Sequence, residues 1–548
     1  MKFRLCAFAK VCSALCTACT AFFLSGLVLG APASAWAQVH LNLWTSPSQG
    51  FVGTTQVNVT GSAFPSGNIL PGSVTITVAS SCGGPKLATT TGLKVTDILG
   101  STDRIEFLIP ASLSSLASGT IVDVSVAGKT SSGTAFSSTN CSEMKVLVKA
   151  AISSCLPSSS LGVLLPAKGP GSVTAYAPNG AWSASNTGIQ VVPIEGGGSP
   201  KSISTPNTTN SCASNSATGE TVCVANNTDV YLITGSTLNT TLTSGSTGFA
   251  SFSGGTCKNC GVAINGLTNT AVVEMGLAGS PSGGGLQFLN LATKAFSATF
   301  PSGNPLSENV QWDPARKLIL SPNERGIYDL FNTSAATPTE FGMSIGGDLD
   351  SAAEDCTTGI ALSTDEFTHT LFITDLTQAT FTAGSPGTWT APGHFTDFPE
   401  FGEFAAGTSG IAVAPGSHLA LVNGEFGGNQ FGVVVLPSTS GSGTPSFGDY
   451  VAALLPDTPN GFPFSTGLDP HTLTAYVSPN TGKVVGLIAN GDFAPPTFIA
   501  VIDLQALLSA PRKAGVFPNG NVCSGCTHSV DPTYDLIAHG VVRYLATH

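Results

Sequence analysis

Short apolar segments recur along the second half of the chain, and each follows the same order of polar and apolar positions. A polar residue is followed two positions later by an apolar residue that begins a strand-like run. The apolar residues of this pattern are Ala213, Val262, Val310, Ile360, Ile411, Leu473 and Val530. Their intervals of 49, 48, 50, 51, 62 and 57 residues are typical of radial arrays of sheets, since no single unit could bury its apolar face alone. The pattern predicts a β-propeller over residues 172–548, with seven blades favoured and six to eight open.

The first part of the chain alternates apolar and polar residues in three segments, 54–60, 73–78 and 121–126. Alternation with a period of two indicates strands with one buried face, and turn residues separate the segments at the spacing of a β-sandwich. We therefore expect an all-β protein with a separate sandwich over residues 38–148. A linker rich in Ser, Leu and Pro follows at 149–171.

Two family resemblances extend these expectations. The stretch from Gly50 to Phe64 has the order of glycine, apolar and G-x-x-F positions of bacterial Ig-like domains, and it resembles their first strands. Strands that close on Asp-Leu or Asn-Leu, such as 288–291, 327–330 and 501–504, resemble those of the YVTN and lactonase-like group of secreted bacterial propellers. This second resemblance implies a Ca²⁺ ion in the propeller channel, where the ion would polarise an ester.

Residues 1–37 have the pattern of a secretory signal peptide. Lys2, Arg4 and Lys10 form a basic start, an apolar run reaches Gly30, and small residues near 33–37 offer cleavage positions. We expect a secreted, periplasmic or cell-surface protein, because no later segment approaches the length of a transmembrane helix. After cleavage the chain has 17 basic and 32 acidic residues, a formal charge of −15. Such a balance argues against nucleic acid and anionic membranes as partners.

Ten cysteines remain after cleavage, and an exported setting favours disulfides over free thiols. The predicted pairs are Cys82–Cys141, Cys212–Cys223, Cys257–Cys260 and Cys523–Cys526, with Cys155–Cys356 as a long-range candidate. The two C-x-x-C pairs also allow a Cys₄ zinc site, which would apply in a reducing compartment.

The predicted propeller gathers polar residues at one end of its channel. In each blade, the entry to the first strand and the loop between the second and third strands open on the same face. The entry positions are Ser211, Cys260, Glu308, Thr358, Ser409, His471 and His528. The loop positions are Glu274, Glu324, Glu425, Asp492 and His539. The sequence therefore predicts an acidic mouth that attracts cations.

Three hypotheses describe the chemistry of this mouth. It could be a hydrated polar opening without an ion, or Glu308, Glu425, Asp492, Glu274, Asp348 and Asp350 could supply oxygen ligands to Ca²⁺. Alternatively, His471, His528 and His539 with Glu308 could hold a transition metal. The segment 394–404 alternates Phe with acidic residues, which fits either a flap over the mouth or an edge strand with one buried face.

No strong catalytic motif accompanies this fold. There is no H-E-x-x-H, P-loop or dinucleotide fingerprint, and the single G-x-S-x-G at 342–346 lacks the strand-to-helix setting of a nucleophile. The favoured interpretation is an exported propeller that binds a small molecule, glycan or protein at its mouth. The first alternative is a Ca²⁺-dependent, lactonase-like hydrolase with His471 or His528 moving the proton. The second is an adhesion or matrix protein that binds through the Ig-like unit.

Overall fold

The chain forms two compact units, residues 1–148 and 149–548. The computed structural model describes residues 36–53, 55–116, 120–147, 156, 161–167, 169–180, 187–225, 229–243, 261–275, 285–302, 309–401, 407–424, 429–441, 443–464, 472–490 and 496–548. Almost all of the regular structure in this part of the chain is β-strand, as predicted from the alternating pattern.

The described residues of the first unit contain ten strands. They are β1 Ala37–Leu41, β2 Trp44–Phe51, β3 Gln56–Ser62, β4 Thr75–Ala79, β5 Lys86–Thr91, β6 Lys94–Leu99, β7 Thr102–Leu108, β8 Thr120–Lys129, β9 Ala135–Ser138 and β10 Ser142–Leu147. Short 3₁₀ turns lie at Pro71–Ser73 and Ala111–Ser115. Pairing runs in the order β1-β9-β8-β10-β2-β3-β7-β6, with β4 beside β8 and β5 beside β4.

The core of the first unit comes from alternate residues of these strands. Along β3, for example, Val57 and Val59 are fully buried while their neighbours are partly or fully exposed. They share one apolar cluster with Ile76 of β4, Phe107 of β7 and Val124 of β8. The period of two predicted three of these strands correctly, because one face of each is covered and the other meets solvent.

The second unit begins with a seven-stranded sheet. Its strands are β11 Gly162–Leu164, β12 Val173–Pro178, β13 Thr187–Glu195, β14 Lys201–Asn215, β15 Glu220–Ala225, β16 Asp229–Thr234 and β17 Thr237–Thr243, in sequence order. The long strand β14 pairs with β13 through its first part and with β15 through its second part. The sheet therefore has a front half, β11 to the start of β14, and a back half, the end of β14 to β17.

Five further sheets follow and form a propeller-like ring of blades. Blade 1 contains β18 Val262–Asn265, β19 Thr270–Met275, β20 Gly285–Asn290, β21 Ala295–Phe296 and β22 Phe300–Pro301. Blade 2 contains β23 Gln311–Asp313, β24 Leu318–Asn323, β25 Ile327–Asn332 and β26 Thr339–Ser344. Blade 3 contains β27 Leu349–Asp355, β28 Ile360–Asp365, β29 Thr370–Asp375 and, after the hairpin described next, β32 Gly393–Asp397.

Blade 4 contains β33 Thr408–Ala414, β34 Leu419–Gly424, β35 Gln430–Val435 and β36 Tyr450–Leu454. Blade 5 contains β37 Leu473–Val477, β38 Val484–Ala489, β39 Phe498–Asp503 and β40 Val542–Ala546. A hairpin of β30 Thr380–Thr382 and β31 Gly387–Thr390 leaves blade 3 and extends blade 2 beside β26. Short 3₁₀ turns at Leu376–Gln378 and Pro399–Phe401 and the helix α1 Leu504–Leu508 complete the regular structure described.

Apolar side chains join each sheet to the next around the ring. Val222 of the back half packs in one cluster with Val273 of blade 1, and Ile360 of blade 3 with Ile411 of blade 4. Blade 5 contacts the front half through a cluster that contains Leu487. Because the last blade packs against the first sheet, the ring closes and each face between sheets is covered.

A repeated turn joins the first and second strands of successive sheets. The residue just before the second strand has a left-handed backbone, with φ of 76° at Gly219, 50° at Asn269, 58° at Lys317, 83° at Gly359 and 60° at His418. Four of these turns begin with Asn or Asp, whose side chain accepts a hydrogen bond from the backbone N–H two residues later. This is the Asx turn that favours tight hairpins. We call the side of the ring that bears these turns the hairpin face.

Two of the seven predicted strand starts were wrong. Thr358 and Ile360 mark the second strand of blade 3, because the true first strand, β27, is the polar stretch Leu-Asp-Ser-Ala-Ala-Glu-Asp. His528 and Val530 lie outside the named strands, beside the outer strand β36, to which Val530 donates a backbone hydrogen bond at Ala452. Residues 534–537 lie in a series of turns, and blade 5 is completed by β40.

The predicted linker at 149–171 also needs correction. Residues 162–164 form β11, which pairs with β12 and belongs to the seven-stranded sheet. Its residues are buried or half-buried, so the second unit begins before residue 172.

Candidate functional site

The mouth face is the side of the ring opposite the hairpin face. It holds the entries to the first strands and the loops between second and third strands. Of the predicted site residues, Ser211, Ser409, Glu274 and Glu324 lie on this side. The serine hydroxyls are buried in the first strands β14 and β33, and neither has a hydrogen-bond partner within the described residues.

Glu274 is a fully buried acid of the mouth face. Its side chain is fully buried near the end of β19, and the Ser321 hydroxyl of the neighbouring blade 2 donates to its Oε1. Oε2 has no hydrogen-bond partner in the described part of the chain. Burial, opposed by the Ser321 hydrogen bond and aided by the charge of Asp329, raises the pKa of Glu274 to about 8. At neutral pH this carboxyl is therefore mostly protonated and can donate a hydrogen bond.

A second acidic group lies where blades 2 and 3 meet. Asp348 precedes β27, Asp350 lies within it, Asp365 ends β28, and Glu324 is in the loop after β24. Burial first, and then the negative charges of Glu324, Asp350 and Asp365, raise the pKa of Asp348 to about 6. The backbone N–H of Asp348 points to Asp365 Oδ1 at 3.4 Å. The electrostatic potential here is negative, which is the property predicted for the mouth.

Most of the acidic segment 348–355 forms the strand β27, which begins just after Asp348. Asp348 and Asp350 lie at its mouth end, whereas Glu354 and Asp355 lie at its hairpin end. One ion could not bind all four carboxylates, because a strand rises about 3.3 Å per residue and so separates its two ends.

Other predicted site residues lie away from the mouth. Thr358 is in the turn between β27 and β28 on the hairpin face, and His539 is in the C-terminal turns, stacked on Tyr534. Four further candidates, His471, Glu308, Glu425 and Asp492, lie outside the described residues, together with Cys260. Their roles as proton-transfer residue or metal ligands stay predictions.

His528 belongs to a different polar cluster, at the outer edge of blade 4. Its ring packs on Tyr450 with centroids 4.1 Å apart, and its Nδ1 lies 3.3 Å from Asp449 Oδ1. Glu400, fully buried, accepts hydrogen bonds from the Tyr450 hydroxyl and from the backbone N–H groups of Thr527 and His528. This cluster fixes the segment that covers β36. A catalytic role of His528 stays a prediction.

The segment 394–404 lies next to this cluster. Residues Gly393–Asp397 form β32, the outer strand of blade 3, while Phe398 and Phe401 are fully buried between blades 3 and 4. The edge-strand interpretation fits the described part of the segment, and its last residues lie outside that part.

Sequence reasoning missed a buried ionic group on the hairpin face. Arg316 of blade 2 contacts Asp313 Oδ2 at 3.0 Å and reaches across to Glu354 Oε1 of blade 3 at 3.2 Å. Its guanidinium also donates to the carbonyl oxygen of Cys356 at 3.2 Å. Burial and the neighbouring Asp313 raise the pKa of Glu354 well above its usual value, although the Arg316 charge opposes this shift.

Blades 3 and 4 are joined by an equivalent contact. His418 Nδ1 lies 2.7 Å from Oδ2 of the buried Asp355, whose other oxygen accepts from the backbone and hydroxyl of Thr357. These hydrogen bonds, opposing burial, lower the pKa of Asp355. Asn215 and Asn269 make the corresponding contact between the back half and blade 1, at 2.8 Å. The recurring order Asn/Asp-x-x-x-Gly/Asn/Lys would have located these turns in the sequence.

The cysteines agree with the predicted pairing where they are described. Disulfides join Cys82 to Cys141, Cys212 to Cys223 and Cys523 to Cys526, which confirms three predicted pairs. The disulfide at 523–526 removes these two thiolates from any Cys₄ zinc site. Cys356 is also disulfide-bonded, whereas its predicted partner Cys155 and the pair Cys257–Cys260 lie outside the described residues.

Two features are absent from the described residues. No group of three or more His, Cys, Asp or Glu side chains among them is placed to hold a metal ion. No helix in the same residues is long and apolar enough to cross a membrane. The Ca²⁺ hypothesis therefore depends on Glu308, Glu425 and Asp492, which lie outside the described ranges.

Fold and site together define an all-β protein with a propeller-like ring of sheets and an acidic mouth face. No protein-family model matches the chain, and a search of curated proteins found no match. Among solved structures, a chain in the crystal structure of the mitotic checkpoint complex is 10% identical with a TM-score of 0.39, covering 59% of this chain and 82% of that chain. A chain of Kuenenia stuttgartiensis hydrazine synthase is 14% identical with a TM-score of 0.31, covering 48% and 75%. Neither likeness says anything about function.

Proposed function

We propose that this protein is an exported β-propeller that binds a positively charged ligand at its mouth face. The observation that supports this proposal is the acidic group around Asp348. A carboxyl whose pKa is raised by neighbouring negative charges gains free energy when a cation arrives, because the cation relieves the repulsion. The cationic group of a larger ligand fits this requirement, because the described acids are not placed to hold a metal ion.

Uncharged donors at the same face would complete such a site. The neutral carboxyl of Glu274 can donate a hydrogen bond, and the hydroxyls of Ser211 and Ser409 can donate or accept. A ligand with a cationic group and several polar atoms would use both kinds of contact, as sites with a few convergent polar groups commonly do.

The proposal includes a finer description of the architecture. The front and back halves of the seven-stranded sheet each contain four strands, and the apolar cluster around Tyr231 and Cys212 joins them as other clusters join neighbouring blades. Counting each half as a blade gives a seven-bladed ring. The first unit is then the Ig-like sandwich, for which the single core shared by its strands is the support.

Export through a cleaved signal at 1–37 is also part of the proposal. The disulfides of both units support it, because such bonds form and persist mainly in oxidising compartments. The partner remains a small molecule, a glycan or a protein.

Hydrolysis of an ester with Ca²⁺ has weaker support. The carboxylates that would hold the ion are known only from the sequence, and His528 lies at the outer edge of blade 4. No contact within the described ranges favours this activity over binding alone.

Binding of cations to the mature chain tests the proposal. Isothermal titration with Ca²⁺, Mg²⁺ and spermidine should show saturable binding of at least one cation by the unmodified protein. Asp348→Asn together with Asp350→Asn should weaken that binding about tenfold or more, since two charges of the site are lost. Asp97→Asn, which removes an exposed acid from the first unit, is the matched control. Equal binding by all three proteins, or saturation by none of the cations, would contradict the proposal.

A further inference from the structure

A cavity lies where the ring closes, on the hairpin face and away from the mouth. It has a volume of about 640 Å³ and is lined by residues from both ends of the second unit. Glu195 comes from the front half of the first sheet, while Lys483, Asp503 and Arg543 come from blade 5. The cavity therefore exists only when the first and last sheets are in contact.

Both acids of this cavity are occupied by hydrogen bonds within the protein. Glu195 Oε1 accepts from the Tyr476 hydroxyl at 2.8 Å, and its Oε2 accepts from Ser478 at 2.8 Å and Asn480 at 2.6 Å. Asp503 Oδ1 accepts from the backbone N–H of Ala506 at 3.0 Å, and Oδ2 from Lys483 at 2.7 Å. Neither carboxylate has an oxygen left without a donor.

Arg543 differs from these acids. Its guanidinium makes one hydrogen bond to the described residues, from Nη2 to the carbonyl oxygen of Ile194 at 3.2 Å. A guanidinium has five N–H donors in a planar fork, so most of them face the cavity or solvent. Planar, doubly accepting anions suit this fork best, and a carboxylate is such an anion.

The cavity wall beside Arg543 is apolar. Val485 and Val501 form this wall on the side of blade 5 that faces the first sheet, and both are at least nine-tenths buried. An apolar wall next to a cationic fork matches a ligand with a carboxylate at one end and an apolar body at the other. The volume lies in the range of ordinary small-molecule sites.

We propose that this cavity, named here the seam site, binds a small organic monocarboxylate with an apolar body. Arg543 pairs with the carboxylate, and the valine wall contacts the body. A single negative charge is favoured over phosphate or a dicarboxylate, because Glu195 and Asp503 line the same cavity and add negative charge to it. The seam site is independent of the mouth, so failure of one proposal leaves the other intact.

A purely structural role for Arg543 makes a different prediction. Arg543 lies on β40, the outer strand of blade 5, where a cationic residue can simply discourage pairing with other chains. In that case substitution would alter solubility or aggregation, and small carboxylates would bind no better to the unmodified protein than to the variant.

Ligand-observed NMR titration of the mature chain with benzoate and hexanoate tests the seam site. Benzamide and hexanamide keep the apolar bodies and lose the charge, and inorganic phosphate keeps a charge without an apolar body. We expect saturable binding of at least one carboxylate, with the amides and phosphate binding at least tenfold more weakly. Arg543→Gln should weaken carboxylate binding about ten- to hundredfold, and Arg543→Lys by less, because the charge remains while the fork is lost.

Arg325→Gln is the matched control, since it removes the same charge from an exposed position on the mouth face. Circular dichroism and melting temperature should show that each variant folds. Saturation by neither carboxylate, equal binding of the amides, or unchanged binding by Arg543→Gln would each overturn the seam site.

Discussion

Arg316→Met tests whether buried charge holds blades 2 and 3 together. Arg316 contacts Asp313 and Glu354, whose side chains are both 0% exposed. Burial and Asp313 raise the pKa of Glu354, so the two acids of this group compete for the single guanidinium of Arg316. Removing the guanidinium leaves a buried negative charge without a partner, which costs about 3–5 kcal/mol.

The expected change in melting temperature follows from the size of the unit. With an unfolding entropy of about 2.1 cal/mol/K per residue, this loss lowers the melting temperature of residues 149–548 by about 4–6 °C. Differential scanning calorimetry of the whole mature chain at pH 7 measures the shift. The loss should be smaller at pH 5 than at pH 8, because a proton can neutralise the buried charge at lower pH.

Glu354→Gln is the matched control for this reasoning. Glutamine resembles the protonated carboxyl that the raised pKa of Glu354 favours, so the melting temperature of this variant at pH 5 should stay within about 1 °C of the unmodified protein. Because the pKa of Glu354 is raised in the folded protein, the folded protein holds this proton up to a higher pH than the unfolded chain does. The free energy of unfolding of the unmodified protein therefore falls as the pH rises above the ordinary pKa of glutamate. By pH 8 the Glu354→Gln variant should be more stable relative to the unmodified protein than it is at pH 5. A loss from Glu354→Gln as large as that from Arg316→Met at every pH would refute this account.

Three further predictions concern single positions. Gly359→Ala should lower the melting temperature by several degrees, because Gly359 has φ of 83° and an added Cβ would lie 2.5 Å from the Arg316 guanidinium. His418→Asn, which suits the left-handed backbone, should cost less than His418→Val in denaturant unfolding; equal losses would rule out the backbone as the cause. Asp348→Asn should stabilise the metal-free protein above about pH 6 and leave it unchanged near pH 3.8, since the pKa of Asp348 rises from 3.8 to about 6. That shift in pKa corresponds to about 3 kcal/mol of unfolding free energy before solvent screening and about 1 kcal/mol after it. A gain in melting temperature that does not depend on pH would contradict this assignment.

The strands were the most predictable part of this protein. In β3, β4 and β8 the apolar residues alternate with polar ones, because each strand has one face on the core and the other toward solvent. The disulfides at 82–141, 212–223 and 523–526 were also predictable, from export and from spacing. Both kinds of signal are local or compositional.

The candidate site was predicted less completely. Glu274 was placed at the mouth correctly, but its pKa of about 8 comes from burial and from Asp329, fifty-five positions later in the chain. Thr358 was placed at the mouth wrongly, because β27 is a polar first strand and the apolar pattern begins at the second strand of that blade. A buried first strand can contain polar residues when their side chains find hydrogen-bond partners, as Asp355 does with His418 and Thr357.

Local order along the chain accounts for which segments are strands, where tight turns occur and which cysteines pair. Contacts between sheets account for the rest, including the raised pKa values of Asp348 and Glu354, the His418–Asp355 pair and the seam site. Strand period and turn preference arise from the steric limits of a few neighbouring residues, which a sequence displays directly. Burial and pKa values depend on residues that lie within a few ångströms of one another only after the ring has closed. The number of residues between them in the sequence does not show that they lie so close.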